Sequence, residues 1–173
     1  MSSKHSENIR EAVESDIPAI QKIYNEHTND ITSVVSFEEK TPSIEELTMR
    51  WRYIKNDNLP FIVCEMEDVI AGYAYATKFR SRAAYRHTVE ESVYVAQKYQ
   101  GQGVGKALLL KIIDQCKYLN VRCIVGVLGT EQDNPVSVLL HRKIGFQNVG
   151  TLHDVGYKNG KWVDRLMMEY IIK

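Results

Sequence analysis

Ser92-Val93-Tyr94-Val95-Ala96-Gln97-Lys98-Tyr99-Gln100-Gly101-Gln102-Gly103-Val104-Gly105-Lys106-Ala107-Leu108-Leu109 is the stretch on which the reading of this chain turns. Its β-branched and aromatic opening predicts a strand. A short polar connection follows, three glycines fall at alternate positions, and an amphipathic helix begins. Val104, Leu108, Ile112, Gln115 and Leu119 share one helical stripe, with Ala107, Lys111 and Cys116 beside it. A glycine-rich turn that opens a helix collects unpaired backbone N–H groups at the positive end of the helix dipole, where a pyrophosphate is well received. A P-loop is excluded, because Gln100 stands five residues before Gly105 and Ala107 replaces the hydroxyl residue after Lys106. A dinucleotide fingerprint is excluded too: Lys106 occupies the place of its third glycine, and the motif lies past mid-chain rather than in a first βαβ unit.

Outside this stretch the composition is permissive. The 173 residues suffice for one domain with a sizeable core. Charge balances, with 22 basic and 22 acidic side chains, so no global field favours nucleic acid or an anionic membrane. Three cysteines, Cys64, Cys116 and Cys123, form no Cys-x-x-Cys pair, and neither a disulfide framework nor a metal site is expected. No apolar run approaches the ~18 residues of a membrane span, and a cytoplasmic setting is expected.

In chain order, residues 1–8 read as a frayed tail and 9–173 as a single domain. Residues 9–13 suggest an edge strand. Ser15 or Asp16 then caps a helix with Pro18 in its first turn, burying Ile17, Ile20, Ile23 and Tyr24. Residues 25–35 read as a polar loop, and Thr41-Pro42-Ser43 starts a second helix ended by Asn56-Asp57-Asn58. Residues 61–66 and 69–76 alternate on either side of Glu67-Asp68, as in a hairpin. Further strands are expected over 86–95 and 121–128, and a helix over 134–144 that stops at Gly145. A final hairpin, 151–158 with 161–172, turns at Asn159-Gly160. The result is a mixed α+β layer fold without internal repeats.

Gln100-Gly101-Gln102-Gly103-Val104-Gly105 after a Val-Tyr-Val strand resembles the coenzyme A loop of the GCN5-related N-acetyltransferases (GNAT). The run from Asn134-Pro135 to Gly145-Phe146 resembles the family's closing helix. Several further segments resemble the phosphinothricin and methionine sulfoximine/sulfone N-acetyltransferases. They are Ile9-Arg10-x-Ala12, Ser36-Phe37-Glu38, Tyr85-Arg86-His87-Thr88-Val89-Glu90 and Gly156-Tyr157-Lys158-x-Gly160-x-Trp162-x-Asp164. Departures stand at Glu91, where the family often has Ser or His, and at Arg165-Leu166. The resemblance implies a mostly antiparallel twisted sheet flanked by about four helices, acetyl-CoA as co-substrate, a small amine as acceptor, and a homodimer. It also implies that Val93, Tyr94 and Val95 pair with the pantetheine arm. Residues 100–106 (Gln100, Gly101, Gln102, Gly103, Val104, Gly105 and Lys106) then hold the pyrophosphate, while Asn134 and Ser137 face the cofactor.

Chemistry requires a base, because an α-ammonium cannot attack a thioester until it loses a proton. Glu90 matches the subfamily's base, and strand alternation turns Glu91 to the opposite face, unless a bulge reverses them. His141 either assists with protons or is a satisfied helix histidine. Arg80 and Arg82 either grip a substrate carboxylate or are solvated loop arginines, and Phe37 borders the pocket or belongs to its wall. A small-amine acetyltransferase is the leading reading; a protein or ribosomal N-acetyltransferase and a silent acyl-CoA sensor are the others.

Overall fold

The structure, a computed structural model, describes residues 8–29 and 36–173. The expected tail thus lies outside the described residues except for Asn8, as do residues 30–35 of the expected polar loop. The elements are β1 (Asn8–Glu11), α1 (Ile17–Thr28), α2 (Ile44–Asn56), β2 (Phe61–Met66), β3 (Val69–Lys78) and β4 (Thr88–Val95). They continue as α3 (Val104–Tyr118), β5 (Cys123–Leu128), α4 (Pro135–Ile144), β6 (Gln147–Lys158) and β7 (Lys161–Ile171). Seven strands form one sheet in the order β1-β2-β3-β4-β5-β7-β6. Only β4 and β5 run parallel among the described pairings. This is the α+β architecture expected, a mostly antiparallel sheet with four α-helices among the described residues.

Alternation along β3 sends Tyr73, Tyr75 and Thr77 toward α1 and α2, where they wall an apolar cavity of about 370 Å³. Gly72 on the other face meets Val104 and Leu108 of α3. Two helical layers therefore sandwich the sheet, and α3 buries Val104, Leu108, Leu109, Ile112, Ile113 and Cys116. The stripe expected from spacing is displaced at its end: Leu119 is exposed, and Leu109 and Ile113 fill the core instead. Burial against both sheet and α4 rewards a wider apolar face than a single stripe.

Several boundaries differ from expectation for identifiable reasons. The polar run Asn25-Glu26-His27-Thr28 is the last turn of α1 rather than a loop. His27 Nε2 lies 3.0 Å from the Val95 carbonyl, the Gln97 N–H donates to Glu26 at 2.8 Å, and Thr28 Oγ1 donates to the Tyr24 carbonyl. Tertiary partners thus hold helical a stretch whose composition suggests a loop. Asp16 precedes α1 but does not cap it with its side chain; its carboxylate takes two bonds from Arg10 and one from the Val13 N–H. Arg10 and the Val13 N–H hold its pKa below the carboxylate range against the opposing effect of burial. Arg86 and His87 lie before β4, after a 3-10 turn over Ala83–Tyr85, and β6 starts four residues earlier than expected.

The β6–β7 hairpin reaches back across the sheet to the segment before α2. Lys158 is buried and donates to the Ser36 carbonyl at 2.6 Å. The Phe37 ring lies 3.6 Å from the Arg165 guanidinium, and its tip lies against Gly156. A Cβ at position 156 would come within 2.4 Å of Phe37 Cζ. Gly156→Ala is therefore expected to push Phe37 off Arg165 and cost about 1 kcal/mol, roughly 2–4 °C in Tm. Thermal unfolding of Gly156→Ala in wild-type and Phe37→Ala backgrounds checks this, since the loss should vanish once the ring is gone.

Candidate active site

β4 and β5 are paired from Thr88↔Cys123 to Glu91↔Gly126 and no further. Beyond that point Ser92, Val93, Tyr94 and Val95 on one strand, and Val127 and Leu128 on the other, border a groove of about 970 Å³. β4 still pairs with β3 here, so the ladder on its β5 side alone is left open. An extended polar chain entering the notch can satisfy the backbone groups that β5 abandons.

The groove runs from this notch to the start of α3. Gly103, with φ 96°, sits in the left-handed region at the N-cap, and Gly101 has φ 73°. These values suit glycine and aim the free N–H groups of the first helical turn outward. Gln100, Gly101, Gly103, Gly105 and Lys106 line the groove. Gln102 does not; its amide donates back to the Lys98 carbonyl at 2.9 Å. Val104 is a core residue at 1% exposure, which leaves only its backbone for a ligand. The Tyr94 ring packs edge-on against Tyr24 and stacks on Tyr73, so a bound chain would meet the tyrosine's backbone.

α4 forms the far wall. Asn134 caps it, with Oδ1 accepting from the Ser137 N–H at 3.3 Å and Pro135 following at the first helical position. His141, one turn beyond Ser137, is buried, and both its ring nitrogens are engaged. Nδ1 lies 2.7 Å from the Ser137 carbonyl and Nε2 lies 2.9 Å from Glu91 Oε1. Burial works to lower the pKa of His141. The hydrogen bond and charge of Glu91, with the Ser137 carbonyl, outweigh it and leave the pKa above the ordinary value.

Glu90 and Glu91 occupy opposite faces of β4. Glu90 lies opposite Thr77 of β3, on the α1–α2 side. It is half-buried, and its pKa is raised, by burial first and then by the charge of Glu91, against a smaller lowering by Arg80. Glu91 is buried and borders the groove, on the strand face opposite Glu90. The groove lies on the very face to which alternation sends it.

The remaining candidates are spread out. Arg80 is exposed, with its guanidinium 5.2 Å from the centre of the Phe79 ring, and it bears on Glu90 through charge. Arg82 is an exposed residue just before the 3-10 turn. Phe37 belongs to the contact with the hairpin rather than to the groove wall. Glu26 and His27 also line the groove, and sequence reasoning overlooked them because their polar stretch reads as a loop.

A strand pair that parts next to a glycine-rich helix start is the arrangement that the resemblance to a coenzyme A loop leads one to expect. The family model for the acetyltransferase (GNAT) domain matches residues 9–167. The chain belongs to the GNAT acetyltransferases. It is 40% identical to phosphinothricin N-acetyltransferase of Alcaligenes faecalis over 161 residues, 93% of this chain and 80% of that one. It is 34% identical to the L-methionine sulfoximine/L-methionine sulfone acetyltransferase of Salmonella typhimurium, over 93% of this chain and 92% of that one. A solved GNAT phosphinothricin acetyltransferase from Sinorhizobium meliloti, in complex with acetyl-CoA, superposes with a TM-score of 0.90 at 36% identity, covering 96% and 88% of the two chains. This GNAT chain is thus an N-acetyltransferase by family, with a groove suited to acetyl-CoA. Among its described residues no helix is long and apolar enough to cross a membrane.

Proposed function

We propose that this enzyme moves the acetyl group of acetyl-CoA onto the primary amine of a small amino acid or analogue of the phosphinothricin or methionine sulfoximine/sulfone type. The amine attacks directly, with Glu90 as general base. One observation carries the reading: the open notch between β4 and β5 has a half-buried carboxylate of raised pKa on the strand face opposite the groove. The acetyl-CoA of the Sinorhizobium meliloti relative and the substrates named for the other two relatives support it.

In this reading the pantetheine arm lies along the open edge of Val93, Tyr94 and Val95, and the pyrophosphate rests on the free amides from Gly101 to Gly105, with Lys106 beside it. Asn134 and Ser137 mark the α4 wall. The acceptor approaches from the other face, where Glu90 receives its proton; a pKa raised toward neutrality makes the carboxylate a better base than a solvated one. Attack forms the new C–N bond, the C–S bond breaks, and the sulfur leaves with a proton. The chain's described residues hold no cluster of metal-ligating side chains, and no step above calls for one. The reading includes a cytoplasmic setting and a homodimer; the exposed Val149, Leu152, Val155 and Trp162 of the hairpin support the dimer, and sedimentation checks it.

The test is coenzyme A release from acetyl-CoA with a panel of free amino acids, methionine sulfone, methionine sulfoximine and phosphinothricin. Turnover of one small amine above all others is expected; acetylation confined to peptide or ribosomal-protein N-termini would overturn the reading. Arg80 adds a second check. Because its charge lowers the pKa of Glu90, Arg80→Ala should move the acidic limb of kcat/KM to higher pH. If Arg80 and Arg82 grip a carboxylate, either alanine variant also raises KM for the amino acid about 10-fold while KM for acetyl-CoA stays put. Equal kinetics for the free acid and its amide in the wild type would remove the clamp.

A further inference from the structure

On the Glu90 face of the sheet lies the apolar cavity between β3 and the first two helices, which the cofactor groove does not use. Its volume of about 370 Å³ falls among pockets that take small organic ligands. Ile20 of α1, Leu47 and Ile54 of α2, and Tyr73, Tyr75 and Thr77 of β3 wall it. Met49 and Tyr53, also in its lining, are each 65% exposed, so the cavity opens to solvent along the edge of α2. A packed interior leaves few voids larger than a water molecule, and an opening of this size beside a candidate base calls for an occupant.

The lining is close to neutral. Arg50 brings a positive charge to it, and Glu38 at 2.6 Å and Glu46 at 2.5 Å offset that charge. Burial pushes the Tyr75 phenol up to about 12 and raises that of Tyr73 as well, so both stay protonated at neutral pH. An ionic group entering the cavity would give up water with little in return. The register of β3 on β4 sets what stands at one end: Thr77 lies opposite Glu90, and Tyr75 opposite Ser92. Cross-strand partners share a face, with Cβ atoms about 4.5–5.5 Å apart, so the carboxylate flanks the Thr77 end. From Thr77 to Tyr75 the strand rises about 7 Å, the span from an α-amine to the end of a methionine-sized side chain.

We propose that this cavity receives the side chain of the acceptor, and that the acceptor is an amino acid with a long apolar side chain, whether alkyl, thioether or aryl. The proposal rests on the acetyl-transfer reading above. With the amine at Glu90, the side chain passes Thr77 and lies along Tyr75 toward Leu47 and Ile54. Thr77, Tyr75 and Leu47 then determine specificity: they touch the side chain and not the reacting atoms. Acceptors of this class have the reach of methionine sulfone without its polar oxygens, which a neutral wall would strip of water. Short side chains leave the cavity unfilled and forgo the gain from burial.

The test is kcat/KM at saturating acetyl-CoA for alanine, 2-aminobutyrate, norvaline and norleucine. Each methylene moved from water into the cavity should add about fourfold, so norleucine should exceed alanine by about 60-fold. Methionine should run with norleucine and ahead of its sulfone, and glutamate should stay near alanine. Indole, a neutral ring that carries no primary amine, should inhibit competitively against norleucine and leave KM for acetyl-CoA unmoved. Leu47→Phe, which fills the cavity from α2, should bring norleucine down to the level of alanine. Circular dichroism shows whether that variant folds; the wild-type series and the indole competition decide the matter without it. A series with no rise, in an enzyme that still releases coenzyme A with some amine, would overturn the proposal alone. Indole inhibition that norleucine does not relieve would do the same, since the cavity would then be a site apart from the acceptor. A wild-type protein that releases no coenzyme A with any amine would strike the acetyl-transfer reading, and the proposal with it.

Discussion

Glu90→Gln is expected to leave acetyl-CoA affinity intact while lowering kcat/KM for the best amine by about 10²–10⁴-fold, the usual worth of a general base. Glutamine keeps the shape and hydrogen-bonding capacity of the side chain but cannot take the ammonium proton. Two signatures separate this from general damage. Burial and the Glu91 charge raise the pKa of Glu90, so the wild type should show an acidic limb above the ordinary carboxylate range. That limb reflects protonation of Glu90 as pH falls through its folded pKa, and it should disappear in the variant. The deficit should also shrink as pH rises, since more amine then arrives already neutral. Isothermal titration with acetyl-CoA and a pH–rate profile together provide the check; an acidic limb that persists in Glu90→Gln would remove this carboxylate from the mechanism.

Gly103→Val should have the second largest effect, on cofactor binding rather than turnover. Its φ of 96° at the N-cap of α3 is a region that β-branched residues rarely enter. A valine must either bear strain of about 1–2 kcal/mol or turn the backbone and withdraw an amide from the cradle. Each bond to a charged group so lost is worth about 1.5–3 kcal/mol, or roughly 10- to 100-fold in acetyl-CoA affinity. Calorimetry on the folded variant measures it, and unchanged affinity would refute the cradle.

The parts of the fold legible in sequence were those encoded by local signals. Asn159-Gly160 takes positive φ at both positions, as that dipeptide invites, and Glu67-Asp68 does the same without any glycine because the flanking alternation leaves no other register. The glycine run and the Asn-Pro start of α4 are likewise local. Features that depend on partners far along the chain were hidden. Glu91 finds His141 fifty residues later, so nothing beside it marks it as more than a strand carboxylate. Phe37 is held by Arg165 and Gly156 from the last hairpin, and Arg165 reads as a mere departure from the expected pattern. His27 reaches Val95 from a stretch with every local mark of a loop. Alternation does separate Glu90 from Glu91; it cannot say which face the groove occupies, since that depends on where β5 stops pairing.

The notch also bears on how the chain is made. β1, β2, β3 and β4 stand side by side in chain order, so this half of the sheet can assemble as it emerges from the ribosome. β4 must then wait for the whole of α3 and for β5 before its far edge is covered, and even in the finished enzyme residues 92–95 keep part of that edge bare. A nascent chain halted before β5 presents β4 as a long unprotected edge, open to pairing with another copy. The backbone groups proposed to receive the cofactor arm in the completed protein are, in the unfinished one, a template for aggregation.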